Sequence, residues 1–461
     1  MSTVLHSPAL PARSPVVEVL VLAGPTVAQM ASYNVMQLID TWMLAQLGTD
    51  AATTAANAGM IVFAALAVGL GVLSLVNSLV SQSFGRGDLV SCGRYLWQGL
   101  WFSLIFAVLI LPLGLLGAPV FRAMGHSAHW VALEVDYLQI VLSMAVLKLG
   151  GFALAQFLLA INRPGAVFLA TLGGVLLNIA VAWVLILGRL GVPSLGVVGA
   201  AWAQNVGVAL ETALLAAFVL RPRIARMFHV GQWRPRWAMF RTLLAVGLPA
   251  GLQFSGDVLP WSLFLMWIMR IFGEPAVAAN TFMFRYMAVS FMPAVGIGTA
   301  VTALVGRYIG MARPDLSEHR ARLGFVITAI YMVGCGVLFY LARGPLMAFF
   351  TRDPQVQHIG QMMLIFAAVY QVFDAMYIIY NGALRGAGDT FVPGLVTATL
   401  CWGLNVGGAY AVARLWPQLG PAGPWLVATG YGVTLGVFMY LRFHWGRWRS
   451  IRLGPTVSPA D

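Results

Sequence analysis

The chain has 461 residues, of which 60% are hydrophobic and 9% charged, and it carries a net charge of +12. Soluble domains carry about 25% charged residues, so this chain has too little polar surface to cover its apolar bulk, and lipid must solvate much of it. The same figures exclude a disordered chain, a coiled coil and a disulfide scaffold.

Crossing a hydrocarbon core of about 30 Å takes about 20 apolar residues. Runs of that length occur at 16–46, 52–83, 94–118, 131–161, 165–188, 196–220, 239–272, 277–309, 322–345, 357–384, 391–415 and 423–445. Because an open strand leaves its backbone unsatisfied in lipid, each run predicts a helix. The expected fold is therefore all-α and integral to the membrane, with twelve transmembrane helices. Arginine sets the orientation. With the N-terminus inside, nineteen of the 26 arginines fall on the cytoplasmic face and six on the other, which places both termini in the cytoplasm by the positive-inside rule. No cleavable signal peptide is read, since the first run continues as a full span.

The longest polar connection, rich in arginine, divides the chain near its middle. The expected organisation is a cytoplasmic tail (1–15), a first lobe of six spans (16–220), a basic cytoplasmic linker (221–238), a second six-span lobe (239–445) and a cytoplasmic tail (446–461). The halves repeat weakly. Pro25 and Pro249 each stand near the start of a first span, and LLNIAVAW (176–183) pairs with GLNVGGAY (403–410), matching Asn178 with Asn405. Two like-oriented halves would be related by a pseudo-twofold axis along the membrane normal, with a site between them near the midplane.

Loop charges aside, the spans retain Asp40, Lys148, Glu211, Asp257, Arg285 and Asp374. Each would cost roughly 2.5–3.5 kcal/mol at a helix centre facing lipid, so each is expected to face protein or a water-filled cleft. A carboxyl group in low dielectric is disfavoured as an ion and gains from a proton or a small cation, which is the chemistry of a coupled transporter. A structural hydrogen bond explains any one acid equally well; three acids on three spans, Asp40, Asp257 and Asp374, favour function. Glu211 is the weaker candidate, with Gln204 and Asn205 beside it on the same span. An offset of 226 residues places Lys148 opposite Asp374, and their attraction is expected to help close one conformation. Pro25 and Pro249 interrupt helix bonding and are candidates for moving parts. Met283, Met287 and Trp267 give spans seven and eight a soft aromatic lining suited to organic cations, although ordinary packing accounts for any one of them.

Several strings resemble the multidrug and toxic compound extrusion (MATE) family, of the NorM type. They are IDTWMLAQLGT (39–49), SQSFGRGD (81–88), GLPAGLQFSGD (247–257), PAVGIGTAVTALVGRYIG (293–310) and, best matched, YQVFDAMYIIYNGALRGAGDT (370–390). The resemblance covers nearly the whole chain. It implies a V-shaped exporter of twelve helices in two six-helix lobes, which alternates between facing in and facing out and trades lipophilic, usually cationic compounds for Na⁺ or H⁺. By matching positions, Tyr370 and Asp374 would belong to the ion site of the second lobe, Asp257 to ion or substrate binding there, and Asp40 and Asn178 to an acidic-polar cluster in the first lobe. Ala182 departs from the pattern, since the family often has Asn or Asp there. A hard cation wants about six oxygen ligands, so this loss favours protons, or places Na⁺ in the second lobe at Asp374 and Tyr370.

No cofactor is expected beyond the coupling ion, and no enzyme activity: the spans carry no histidine cluster, Ser-His pair or metal spacing, and no phosphate loop for ATP is present. Cys92, Cys335 and Cys401 read as apolar filler. Nucleic acid is not an expected partner, since basic loops orient any membrane protein. A monomer in a bacterial inner membrane is expected, with lipid and lipophilic cations as its partners. The nearest rival is a flippase for a lipid-linked sugar, which would line its cleft with several cations; a channel or a membrane enzyme is the more distant alternative.

Overall fold

The computed structural model describes residues 14–124, 126–451 and 453, with the side chains of 49, 50, 257–259, 265 and 266 left out. Most of both terminal tails therefore lies outside the described residues. The first half consists of α1 (Pro15–Ala45), α2 (Thr49–Gly85), α3 (Leu89–Ile110), α4 (Gly117–Ala123), α5 (Ala128–Ser143), α6 (Ala145–Ala160), α7 (Pro164–Leu187) and α8 (Gly196–Val219). A short α9 (Pro222–Met227) opens the linker. The second half consists of α10 (Trp237–Leu263), α11 (Glu274–Gly310), α12 (Pro314–Leu341), α13 (Arg343–Phe350), α14 (Pro354–Ala387), α15 (Phe391–Leu400), α16 (Ala409–Leu415) and α17 (Ala422–His444).

Local chemistry sets many of these ends. Ser14, Asp88 and Asp353 cap α1, α3 and α14 by accepting from Val17, Ser91 and Gln355 amides, supplying partners that a helix start lacks. Proline occupies the first position of α1, α7, α9, α12 and α14, where its missing N–H costs nothing. The ninth span begins at Pro314 rather than 322 because its polar first turns are helical too, with Asp315 complementing the N-terminal dipole.

Eleven described helical segments are long and apolar enough to cross a membrane, and the bent pair α5–α6 makes a twelfth. The expected single span 131–161 is broken at Met144, whose φ of −103° and ψ of 15° lie outside the helix, and the two pieces meet at 48°. Spans seven and eleven are also irregular. Helix α10 passes into a π turn over Phe264–Ile268 and then a 3₁₀ turn, while a π segment over Cys401–Gly408 separates α15 from α16. Pro25 and Pro249 both lie inside continuous helices.

Two lobes pack around separate cores, and each lends its first helix to the other. Met239, Leu243, Val246 and Ala250 of α10 are buried in the core of the first half. Val19, Leu22 and Ala23 of α1 are buried in that of the second. The lobes therefore meet along α1 with α11 and along α2 with α10 and α11, the pairing that a twofold axis relating the halves requires. At the arginine-rich end the seam is closed. Cβ atoms at Gly85 and Gly310 would overlap the carbonyl oxygens of Arg307 and Gln82, so the backbones touch directly, as small residues permit in membrane bundles. Gln82 Nε2 donates to Gly386 O at 2.9 Å across the same seam.

Candidate functional site

In the first lobe, α1, α7 and α8 build a polar cluster within the bundle. Glu211 Oε1 accepts from Tyr33 Oη and from Thr171 Oγ1, each at 2.6 Å, and Gln29 Nε2 donates to Thr171 Oγ1 at 3.0 Å. Thr171 is fully buried and Gln29 nearly so. The helices come this close because α7 and α8 meet at glycines: a Cβ on Gly174 would stand 2.8 Å from Gly207 O and from Glu211 Cβ. The carboxylate acting on Lys148 of α6 is also Glu211. Glu211 is thus a candidate counter-charge for Lys148 within its own lobe, in addition to the Asp374 that the repeat singles out.

A second layer lies two turns away. On α1 and α7, which run the same way, seven residues lead from Tyr33 to Asp40 and from Thr171 to Asn178; on the antiparallel α8 seven lead back from Glu211 to Gln204. Seven residues rise about 10 Å, so these three share one depth. Asp40 is half-buried, with Oδ1 enclosed and without a hydrogen-bond partner among the described residues. It acts electrostatically on Tyr137 of α5, whose hydroxyl donates to Gln204 Oε1 at 3.0 Å. Asn178 is 1% exposed, and neither of its amide atoms has a partner among the described residues. Ala182, one turn on, is buried among Met43, Leu44, Val197 and Ala203, so that position adds packing and no oxygen.

In the second lobe, Tyr370 and Asp374 lie one turn apart on α14, each 7% exposed. Tyr370 belongs to an aromatic nest around Trp261 of α10. Its ring stands edge-on to Trp261 at 6.0 Å, and Phe264, Phe284, Trp425 and Tyr431 surround the same indole at 5.4–6.3 Å. Trp425 is fixed in turn by donating to Asn280 Oδ1 at 2.9 Å. Asp257 lies on α10 one turn before Trp261, and its side chain lies outside the described residues. Asn405, the counterpart of Asn178, sits in the π segment, fully buried, and again neither amide atom has a partner among the described residues. A buried unpaired polar group costs about 1–3 kcal/mol, and π turns such as the one holding Asn405 often mark functional sites, so the two asparagines are candidate site residues.

The remaining expected residues are placed as follows. Met283 is fully buried in the outer core of the second lobe, Met287 packs at its edge, and Trp267 is 55% exposed and stacked on Tyr410 at 5.2 Å. In this state Met283 offers no surface to a cargo. Sequence reasoning ranked Glu211 low and missed Tyr33, Thr171 and Trp261. The local signals were Gln29 and Tyr33 one turn apart and Thr171 two turns before Asn178, but only the packing of α1, α7 and α8 joins them.

A family model described as MatE matches residues 25–184 and 258–411, one stretch in each half. A protein described as probable multidrug resistance protein NorM, from Bradyrhizobium diazoefficiens, is 29% identical over 433 residues, covering 92% of this chain and 91% of that protein. Another of the same description, from Thermotoga maritima, is 25% identical, covering 94% and 92%. Among solved structures, a MATE protein in the bent conformation superposes with a TM-score of 0.85 at 22% identity, covering 95% of this chain and 96% of that one. An outward-facing multidrug resistance MATE transporter gives 0.85 at 20%, covering 94% and 96%. These structural likenesses establish the fold, twelve helices in two six-helix lobes.

Proposed function

Since the chain belongs to the MatE family, whose members are multidrug transporters and not enzymes, we propose that it is a secondary active exporter trading lipophilic, mainly cationic compounds for H⁺ or Na⁺ by alternating access. It is a multi-pass membrane protein; we place its arginine-rich end in the cytoplasm of a bacterial inner membrane and take it to act as a monomer. The observation that carries the reading is that each lobe holds carboxyl groups together with a buried carboxamide that has no partner among the described residues: Asp40 and Glu211 with Asn178 in the first, Asp374 with Asn405 in the second. A carboxylate so placed gains by taking a proton or a small cation, and gains equally from a lipophilic cation, so the two compete for it.

Glu211 joins the coupling residues of this account, with Tyr33 and Thr171 as its hydrogen-bond donors and Lys148 as its counter-charge. Asp374 and Tyr370 remain the position for Na⁺, and Asp257 a second-lobe ligand for ion or cargo. Ala182 supplies no ligand oxygen, which favours H⁺ in the first lobe. With the seam shut at the arginine-rich end, this state exchanges ion and cargo with the opposite side. The alternation costs energy that the gradients must supply. One charge falling through 100 mV yields about 2.3 kcal/mol and one pH unit about 1.4. A one-for-one swap of H⁺ for a monovalent cation moves no net charge and draws on the pH term alone.

Dye efflux from proteoliposomes under imposed pH or Na⁺ gradients tests the proposal. A gradient of one of the two ions is expected to drive the parent, and Asp374→Asn to lose at least about tenfold in rate, about 1.4 kcal/mol in the transport barrier. Unchanged efflux in a folded Asp374→Asn protein overturns the assignment.

A further inference from the structure

The linker between the lobes folds back onto α3 and makes a basic pocket at the membrane edge. Arg94, Trp97 and Trp101 stand at i, i+3 and i+7 on α3, hence on one stripe. All three hold the linker. Trp97 Nε1 donates to Val230 O at 2.6 Å, Trp101 Nε1 to Trp233 O at 2.9 Å, and Arg94 Nε to Gln232 Oε1 at 2.9 Å. In return the Arg236 amide donates to Gln98 Oε1 at 3.2 Å. Gly93 permits the approach, since a Cβ there would overlap Phe228 O.

The fold leaves an open pocket of about 300 Å³ lined by Arg94, Gly231, Gln232, Trp233, Arg234 and Arg236. None of its three guanidinium groups is in an ion pair among the described residues. Arg94 is repelled by Arg236 and attracted by Asp88, which is engaged in capping α3. Among the described residues, the loop thus holds three like charges together with no ion-pair partner. Trp233 lines the pocket and lies 6.3 Å from Trp101, and further along the linker Trp237 stacks on Phe240. Such rings mark the headgroup level of a bilayer, and basic pockets at that level on the cytoplasmic side suit anionic headgroups.

We propose that this pocket binds the phosphodiester headgroup of an anionic phospholipid from the leaflet on the arginine-rich side. Inorganic phosphate shares the anionic chemistry. A lipid is the occupant assigned, because the tryptophans offer an apolar seat for the glycerol and acyl carbons that a free ion cannot use. The occupant would bridge the first lobe, through Arg94, to the segment that joins it to the second, so lipid composition would act on the linker without touching the transport site.

The test is binding of short-chain phosphatidylglycerol and phosphatidylcholine to the full chain in neutral detergent. Phosphatidylglycerol is expected to bind saturably and the choline lipid at least tenfold more weakly. Each arginine replaced by glutamine should raise the dissociation constant about fivefold, so Arg94→Gln/Arg234→Gln/Arg236→Gln weakens binding on the order of a hundredfold. The double variant Arg234→Gln/Arg236→Gln changes only exposed side chains, keeps the Arg94 contact, and should weaken it about 25-fold. Arg447→Gln, elsewhere on the same face, should leave it unchanged. Parent-like phosphatidylglycerol binding in the double variant overturns the proposal. So does inorganic phosphate that displaces the lipid at equal concentration, which would make this a site for the free ion.

Discussion

Replacing Glu18 by glutamine removes a charge from the seam between the lobes while keeping its shape. The carboxylate of Glu18, in the first turn of α1, accepts from Tyr308 Oη at 2.8 and 2.9 Å and from Arg320 Nε at 2.7 Å. The Arg320 and Glu18 side chains are 8% and 13% exposed, and the Arg320 guanidinium also lies 5.3 Å from the Tyr308 ring. Beside them Arg307 is fully buried, with Nε and Nη1 unpaired among the described residues, and Glu18 is the carboxylate acting on it. With the seam shut, Glu18 thus balances two cations. A hydrogen bond to a charged group contributes about 1.5–3 kcal/mol, and 1.4 kcal/mol is tenfold in an equilibrium. In the opened state water solvates these groups, so the loss falls on the closed state, whose population ratio should drop roughly 10- to 100-fold. The assay is labelling of Ser81→Cys by an impermeant thiol reagent in inside-out vesicles, with the three native cysteines replaced. Ser81 of α2 is fully buried against Gly306 of α11 at the seam, and labelling should accelerate at least tenfold in Glu18→Gln. Arg320→Gln should match it, and the double variant should add little, since both remove one interaction. An unchanged labelling rate in Glu18→Gln refutes the claim that this carboxylate holds the seam shut.

The asparagine pair separates stability from transport. Asn178→Leu and Asn405→Leu each remove a buried amide with no partner among the described residues, so thermal unfolding in detergent should be unchanged or raised, by up to about 1–3 kcal/mol, while dye efflux falls. In the first lobe, Glu211→Gln should lower efflux by an order of magnitude or more. Adding Lys148→Met should recover stability, read as the unfolding midpoint, because an uncompensated buried charge costs about 3–5 kcal/mol.

The twelve spans were legible because lipid leaves a backbone few options, and the fold class followed from length alone. The break at Met144 was not. Its neighbours LSMAVLK contain neither proline nor glycine, and the bend depends on what α5 and α6 pack against. Repetition made Asn178 and Asn405 readable as a pair, and both are buried with amides that have no partner among the described residues. The same offset, which pairs Lys148 with Asp374, says nothing about which face of α6 turns towards α8 and so could not single out Glu211 as a carboxylate acting on Lys148. Glu211 was undervalued for a related reason: Tyr33 and Thr171 lie 178 and 40 residues from it in the chain. The nest around Trp261 gathers rings from α10, α11, α14 and α17, and no local pattern announces it.

Proton counting on cargo binding tests the central claim most directly. Adding tetraphenylphosphonium to the purified protein in weakly buffered detergent should release protons, or displace bound Na⁺ if that is the ion, in proportion to the cation bound. The release should shrink in Asp40→Asn and in Asp374→Asn. Stoichiometric binding of the organic cation with neither ion released would contradict the account, since cargo and ion would then not be competing for the same carboxylates.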